Sequence, residues 1–285
     1  MAVKNKHPKK VHKSIKEPLV SQIREHKATF AVYVVLRLVV IAVLILSVVG
    51  RRFENVFICS LTLVLFLVPA FFQKNFGIQL PSTLEIIIML FIFAAEILGE
   101  IGAYYVKVPI WDTMLHTTNG FLCAAVGFAL VDLLNRNSRF KFNLSPIYLS
   151  VVAFCFSMTI GVLWEMFEFS CDMLLFTDMQ KDFVINKIST VALDETLTNT
   201  PVIIDNITSV VVNGEDLGIG GYIDIGIIDT MKDLIVNFIG AVVFSVIGFF
   251  YVKSRGRNKF ARRFIPTVSE KEPDITEDDT QTNVQ

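Results

Sequence analysis

Six stretches of this chain stay apolar for about the ~20 residues that a bilayer demands of a spanning helix, and that length points to an all-α integral membrane protein. They run over about 29–50, 55–73, 83–105, 112–134, 146–172 and 226–251. Of 285 residues, 53% are hydrophobic and 25 are Phe, a composition too apolar for a soluble domain of this size. Arg37 interrupts the first stretch near its basic end, from where it can snorkel to the surface. Ser145 and Pro146 make a natural entry to the fifth, one as cap and one at the first helical position.

The polar residues divide the chain. Residues 1–28 form a basic arm expected to be cytoplasmic and disordered, with eight Lys or Arg against two Glu over the first 27. It has no short apolar core ending in a cleavage site, so no cleavable signal peptide is expected. Residues 29–252 are the membrane domain. Within it, 173–225 is an extracytoplasmic loop with β-branched runs at Pro201–Ile204 and Ser209–Val212, and Asn213-Gly214 predicts a hairpin turn. Residues 253–285 are a tail, basic and then acidic, expected to be disordered. The four cysteines show no metal-ligand or disulfide spacing and read as small buried residues.

Orientation follows from the basic residues of the short connections. The arm, the Arg136–Lys141 loop and the cluster from Lys253 to Arg263 fall on one side of a six-span topology. Arg51, Arg52 and Lys107 fall on the other and are outnumbered. Both termini are therefore expected in the cytoplasm, and the protein in a bacterial plasma membrane.

Against that topology, most ionisable residues of the last four stretches gather near the outer side. They are Glu96 and Glu100; Asp112 and His116; Glu165, Glu168 and Asp172; and Asp229 and Asp233, followed by Asn237. Residues three or four apart share a helical face, so Asp112, His116 and Asn119 form one stripe. The same holds for Glu165, Glu168 and Asp172, and for Asp229, Asp233 and Asn237. At ~1.5 Å per residue the deepest lie ~10–12 Å below the interface. Gly120/Ala124, Ser157/Gly161 and Ala241/Ser245 are small pairs that let such helices approach closely. The helix pair bearing Glu96 to Asn119 and the pair bearing Glu165 to Asn237 also resemble one another, as a parallel repeat of two helical hairpins would.

A charged group in hydrocarbon costs kilocalories, so it needs a partner or a function. Carboxylates and one imidazole suit a divalent cation: Mg²⁺ or Mn²⁺ by oxygen preference, with the imidazole tilting the choice toward Mn²⁺, Fe²⁺ or Zn²⁺. Without a metal, so many carboxylates could not all ionise and would relay protons. Plainer readings compete. Asp112 suits a helix cap, Asp172 and Asp229 suit solvated interfacial positions, and the deeper groups could pair for packing specificity alone. No Gly-x-Ser-x-Gly or Ser–His spacing marks a nucleophile, so catalytic residues stay unassigned.

Three motifs resemble a known family: Trp111-Asp112-Thr113-Met114-Leu115-His116, Gly161-Val162-Leu163-Trp164-Glu165-Met166-Phe167-Glu168-Phe169, and Ile228-Asp229-Thr230-Met231-Lys232-Asp233 running on to Asn237. Together they are similar to the YjdF-like bacterial membrane proteins, a multi-pass family of uncharacterised function. The resemblance covers the last four stretches and implies a fold and a membrane location without an activity. Three roles stay open: cation binding in transport or proton coupling, ranked first; a metal-dependent hydrolase acting on a lipid or extracytoplasmic substrate; and a structural or partner-binding protein. The partner expected throughout is the lipid bilayer, with no nucleic acid.

Overall fold

The computed structural model describes residues 27–135 and 144–268. Most of the basic arm, the loop basic residues Arg136, Arg139 and Lys141, and the acidic part of the tail lie outside the described residues.

The first helix, α1 (Lys27–Val49), carries apolar side chains all round, and Leu38, Leu46 and Val49 stand exposed on its outer face. Such a surface is costly against water and natural against acyl chains. The second stretch breaks in two, α2 (Phe53–Leu65) and α3 (Val68–Phe76), where one unbroken helix over 55–73 is expected. Pro69 is the reason: it donates no backbone hydrogen bond and its ring crowds the carbonyl four residues back, so the ladder fails at Leu65.

After β1 (Ile78–Gln79), α4 (Ser82–Phe93) passes without a break into a π-helical stretch, Ala94–Ile101, that carries Glu96 and Glu100. It ends at Gly102 and Ala103, the latter at φ 57°, and a short α5 (Tyr104–Lys107) turns across the end of the bundle. The expected single helix over 83–105 is therefore three pieces. Three long helices follow: α6 (Trp111–Asn135), α7 (Pro146–Leu175) and α8 (Ile227–Lys253). Ser145 caps α7 as its sequence suggests, its hydroxyl accepting the Tyr148 amide at 3.3 Å.

Among the described residues, five helical segments are long and apolar enough to cross a membrane: 29–49, 53–76, 111–131, 146–175 and 227–253. The expected third, over 83–105, is not among them, because its ordinary α-helix ends at Phe93 where the π-helical stretch begins.

Helices α6, α7 and α8 pack against one another as the centre of the molecule, with α1, α2 and α4 as a second layer. Close approach in the centre is made by absent side chains. A Cβ on Gly120 would meet the Asn237 carbonyl, and one on Gly240 would meet that of Thr117. The Ser157 hydroxyl donates to the Gly120 carbonyl at 2.7 Å, tying α7 into the same crossing. Beyond it the core is filled by Leu122, Ala125, Phe128, Ala153 and Phe244. The packing of the two supposed hairpins differs: α7 and α8 run together closely, whereas α4 and its π-helical extension barely touch α6.

Small ladders close both ends. β1 pairs antiparallel with β8 (Thr267–Val268), so the turn into α4 lies at the same end as the chain leaving α8. At the opposite end the segment between α7 and α8 forms three two-stranded ladders rather than the one hairpin expected. These are β2 (Val184–Ile185) with β7 (Tyr222–Ile223), β3 (Ile188–Thr190) with β4 (Val202–Ile204), and β5 (Val211–Val212) with β6 (Glu215–Asp216). The last is the Asn213-Gly214 turn, with φ of 54° and 91° as a two-residue hairpin of this twist requires.

Candidate metal centre

The centre is built at the end of the bundle that carries the three ladders. His116 sits one turn into α6 beyond Asp112, and α8 brings Asp233 and α7 brings Glu165 to the same imidazole. His116 Nε2 lies 3.6 Å from Asp112 Oδ1 and 3.8 Å from Asp233 Oδ2, while Nδ1 lies 3.7 Å from Glu165 Oε1. At 3.6–3.8 Å these pairs are close contacts, too long for hydrogen bonds. His116, Asp112 and Asp233 each offer one donor atom, all within 4.8 Å of one another; His116, Glu165 and Glu168 do the same.

Burial makes these separations costly unless something fills them. Glu165, Glu168 and Asp233 are buried, and His116 is only 9% exposed. Among the described residues, no Lys or Arg side chain is ion-paired with any of them. The donor set, four carboxylates and one imidazole, suits a divalent ion held by oxygens with one nitrogen. Partners already fix two donors from behind: the Trp164 indole donates to Glu168 Oε1 at 2.8 Å, and the Gln180 amide reaches Glu165 Oε2 at 3.4 Å. Oriented ligands of this kind are what a metal site needs.

The remaining sequence candidates divide by position. Asp229 is buried beside the centre, but its Oδ2 accepts the Lys181 amide at 2.8 Å. Asp172 lies apart. Its two oxygens accept from the Thr177 hydroxyl and the Met179 and Gln180 amides at 2.7–2.8 Å, which fold the chain after α7 back over the site. Asn237 lies one turn deeper than Asp233 and is 1% exposed, with its side chain against Gly161 and its Oδ1 accepting from Asn119 at 3.4 Å. Glu96 and Glu100 belong to neither donor set. They face the centre across a cavity of about 750 Å³ that Asp112, His116 and Glu168 also line.

Several contributors are not marked by the sequence. Gln180 bridges α7 and α8, donating to the Thr230 hydroxyl at 2.7 Å and to the Glu165 carbonyl at 3.3 Å. Tyr105 packs on Gly99 and lies within electrostatic reach of Glu96, Glu100, Asp112 and Glu168. Trp164, named in the sequence only as part of a motif, donates its indole to Glu168; its place four residues earlier on one helix is the signal that could have found it.

Residues 32–254 match the family described as predicted membrane protein (DUF2238), and the chain belongs to that family. The YjdF-like resemblance is consistent with it. A protein of Thermotoga maritima, described as an uncharacterized protein, is 26% identical over 107 residues, which are 38% of this chain. The match spans 53% of that relative's length. No solved structure matches the chain.

Proposed function

We propose that this member of the DUF2238 family holds a divalent cation at His116, with Asp112 and Asp233 as the other donors and Glu165 and Glu168 flanking it. The carrying observation is the imidazole itself, with carboxylate oxygens 3.6–3.8 Å from both ring nitrogens and no hydrogen bond to any of them. Metal–ligand bonds of about 2.0–2.2 Å place neighbouring donor atoms roughly 3 Å apart or more, so small movements would close Asp112, His116 Nε2 and Asp233 around one ion.

The face at which it works follows from charge. Lys253, Arg255, Arg257, Arg262 and Arg263 lie at the end opposite the centre, and such clusters mark the cytoplasmic side. We therefore place the centre in the non-cytoplasmic half of a plasma membrane, within a body of six spans over 29–252. The flanking 1–28 and 253–285 we read as cytoplasmic.

The packing favours chemistry over transport. Beneath the centre, α6 and α8 meet main chain to main chain, and Leu122, Phe128 and Phe244 fill the core beyond. An ion that can leave only by the face it entered is not carried across. We read the centre as that of a metal-dependent hydrolase: a cation held there would supply Lewis acidity to activate water, and a flanking carboxylate would serve as the general base. Glu165, beside Nδ1 and steadied by Gln180, is the carboxylate placed for that role.

Metal analysis of the purified protein tests this. Near-stoichiometric Mn, Zn or Fe in the wild type, lost in both His116→Ala and Asp233→Asn, is expected. A wild type that carries no metal and binds no added divalent ion overturns the reading, and the same carboxylates then serve as proton carriers.

A further inference from the structure

The cavity of about 750 Å³ beside the centre falls within the range of small-molecule sites, and its walls differ in kind. One wall is apolar: Phe57, Ile58 and Leu61 from α2 and Phe91 from α4. Phe57 and Leu61 are 68% and 37% exposed, so this wall continues into the surface that faces the acyl chains. The other wall is polar and acidic, with Glu96, Glu100, Asp112 and Glu168, accompanied by the aromatic rings of Tyr105 and Trp164. His116, 9% exposed, also borders the space. The lysine on the lining, Lys181, is engaged by Asp178 through both its carboxylate, at 3.8 Å, and its carbonyl.

An occupant must then satisfy two conditions. It needs a hydrocarbon portion that can enter from the bilayer alongside Phe57 and Leu61, and a polar end that carboxylates and aromatic faces attract together. A protonated amine meets the second condition, because carboxylates pair with it and ring faces hold cations. An anionic head would be repelled by Glu96 and Glu100, which belong to neither donor set.

We propose that this cavity binds a membrane amphiphile with an ammonium head, its chain against α2 and its head between Glu96 and Trp164. As the assignment of a substrate class it rests on the metal-centre reading. As a binding site it stands without it. The proposal also gives the π-helical stretch a role, since that stretch carries Glu96 to the cavity edge, and such irregularities recur at functional sites.

The test is lipid retention, read by native mass spectrometry of protein released from nanodiscs of equimolar phosphatidylethanolamine and phosphatidylglycerol. Metal content is measured on the same samples. The wild type is expected to keep phosphatidylethanolamine in preference to phosphatidylglycerol. Glu96→Gln lowers that retention about tenfold, and Leu61→Trp, which fills the apolar wall, abolishes it. Neither residue belongs to the donor sets, so metal content stays at the wild-type level and reports a folded centre. Equal retention of both lipids, or a preference that both variants leave intact, overturns the proposal. A protein that keeps its metal and not the lipid refutes this assignment alone. One that keeps the lipid and not the metal supports the pocket and refutes the hydrolase.

Discussion

Gly120 and Asn237 touch through their main chains, the carbonyl oxygen of one lying where the Cβ of the other would be. This contact sits one turn below His116 on α6 and one turn below Asp233 on α8, so it sets the distance between two of the proposed donors. Substitution Gly120→Ala forces the helices apart. The expected cost is about 1–3 kcal/mol, as for other overpacked cores, with weaker metal binding at the displaced pair. Thermal unfolding and metal titration of the variant check this. Wild-type values in both would mean that the helices do not meet at this point.

Asp172 is expected to separate loop order from metal binding. Its carboxylate accepts from Thr177, Met179 and Gln180 and contributes to neither donor set. Asp172→Ala strands those donors, at roughly 1–3 kcal/mol for the group, and frees residues 177–181. Proteolysis and hydrogen exchange should quicken there while metal stoichiometry holds. Loss of metal with an unchanged loop would make Asp172 a ligand instead.

A pH response is expected far from the centre, at Asp194. The Thr196 hydroxyl and then the amides of Thr200, Thr196 and Thr198 hold its carboxyl at about 2, well below the ordinary value. A depressed folded value means that the stabilisation is complete above the ordinary carboxylate range and is lost as pH falls through about 2. Amide exchange at Thr196, Thr198 and Thr200 should therefore quicken between about pH 4 and pH 2, and Asp194→Asn should flatten the profile. A flat profile in the wild type removes this account of the turn.

Arg37 offers a stability gain. Its guanidinium lies 3.9 Å from the Tyr33 ring centroid, one turn back toward the basic end, as the direction of helical side chains dictates. Its Nε and one Nη nonetheless lie buried without a hydrogen bond. A buried donor left without a partner costs about 1–3 kcal/mol, so Arg37→Leu should raise the unfolding midpoint in nanodiscs. A lowered midpoint would mean that the guanidinium finds an anion in the bilayer.

Sequence periodicity carries much of this site because helical spacing alone decides which side chains share a face. Asp112 with His116, and Glu165 with Glu168, are aligned before any packing is known, and four stripes on four apolar segments imply that some of them converge. What periodicity cannot supply is depth and partnership. Asp172 and Glu165 lie on one stripe, yet one folds the following chain and the other turns to the imidazole, because the segment after Leu175 folds back over the bundle. Gln180 and its bonds to Glu165 and Thr230 come from that return, across 15 and 50 residues of chain. The break at Pro69 was readable from the proline itself. The π-helical stretch was not, since Ala94–Ile101 contains nothing that excludes an ordinary helix.

That stretch also fixes how the segment reacts to changes in length. A wider turn is an α-helix with surplus residues wound into it, so the excess is a local slack in the chain. Deleting one residue between Ala94 and Ile101 lets the turn tighten to ordinary pitch while the residues beyond it keep nearly the same facing, whereas the same deletion in an ordinary α-helix would turn them by roughly 100°. The segment thus behaves as a phase adjuster: one codon lost here is absorbed locally, and the wall of the site beyond it keeps its aim.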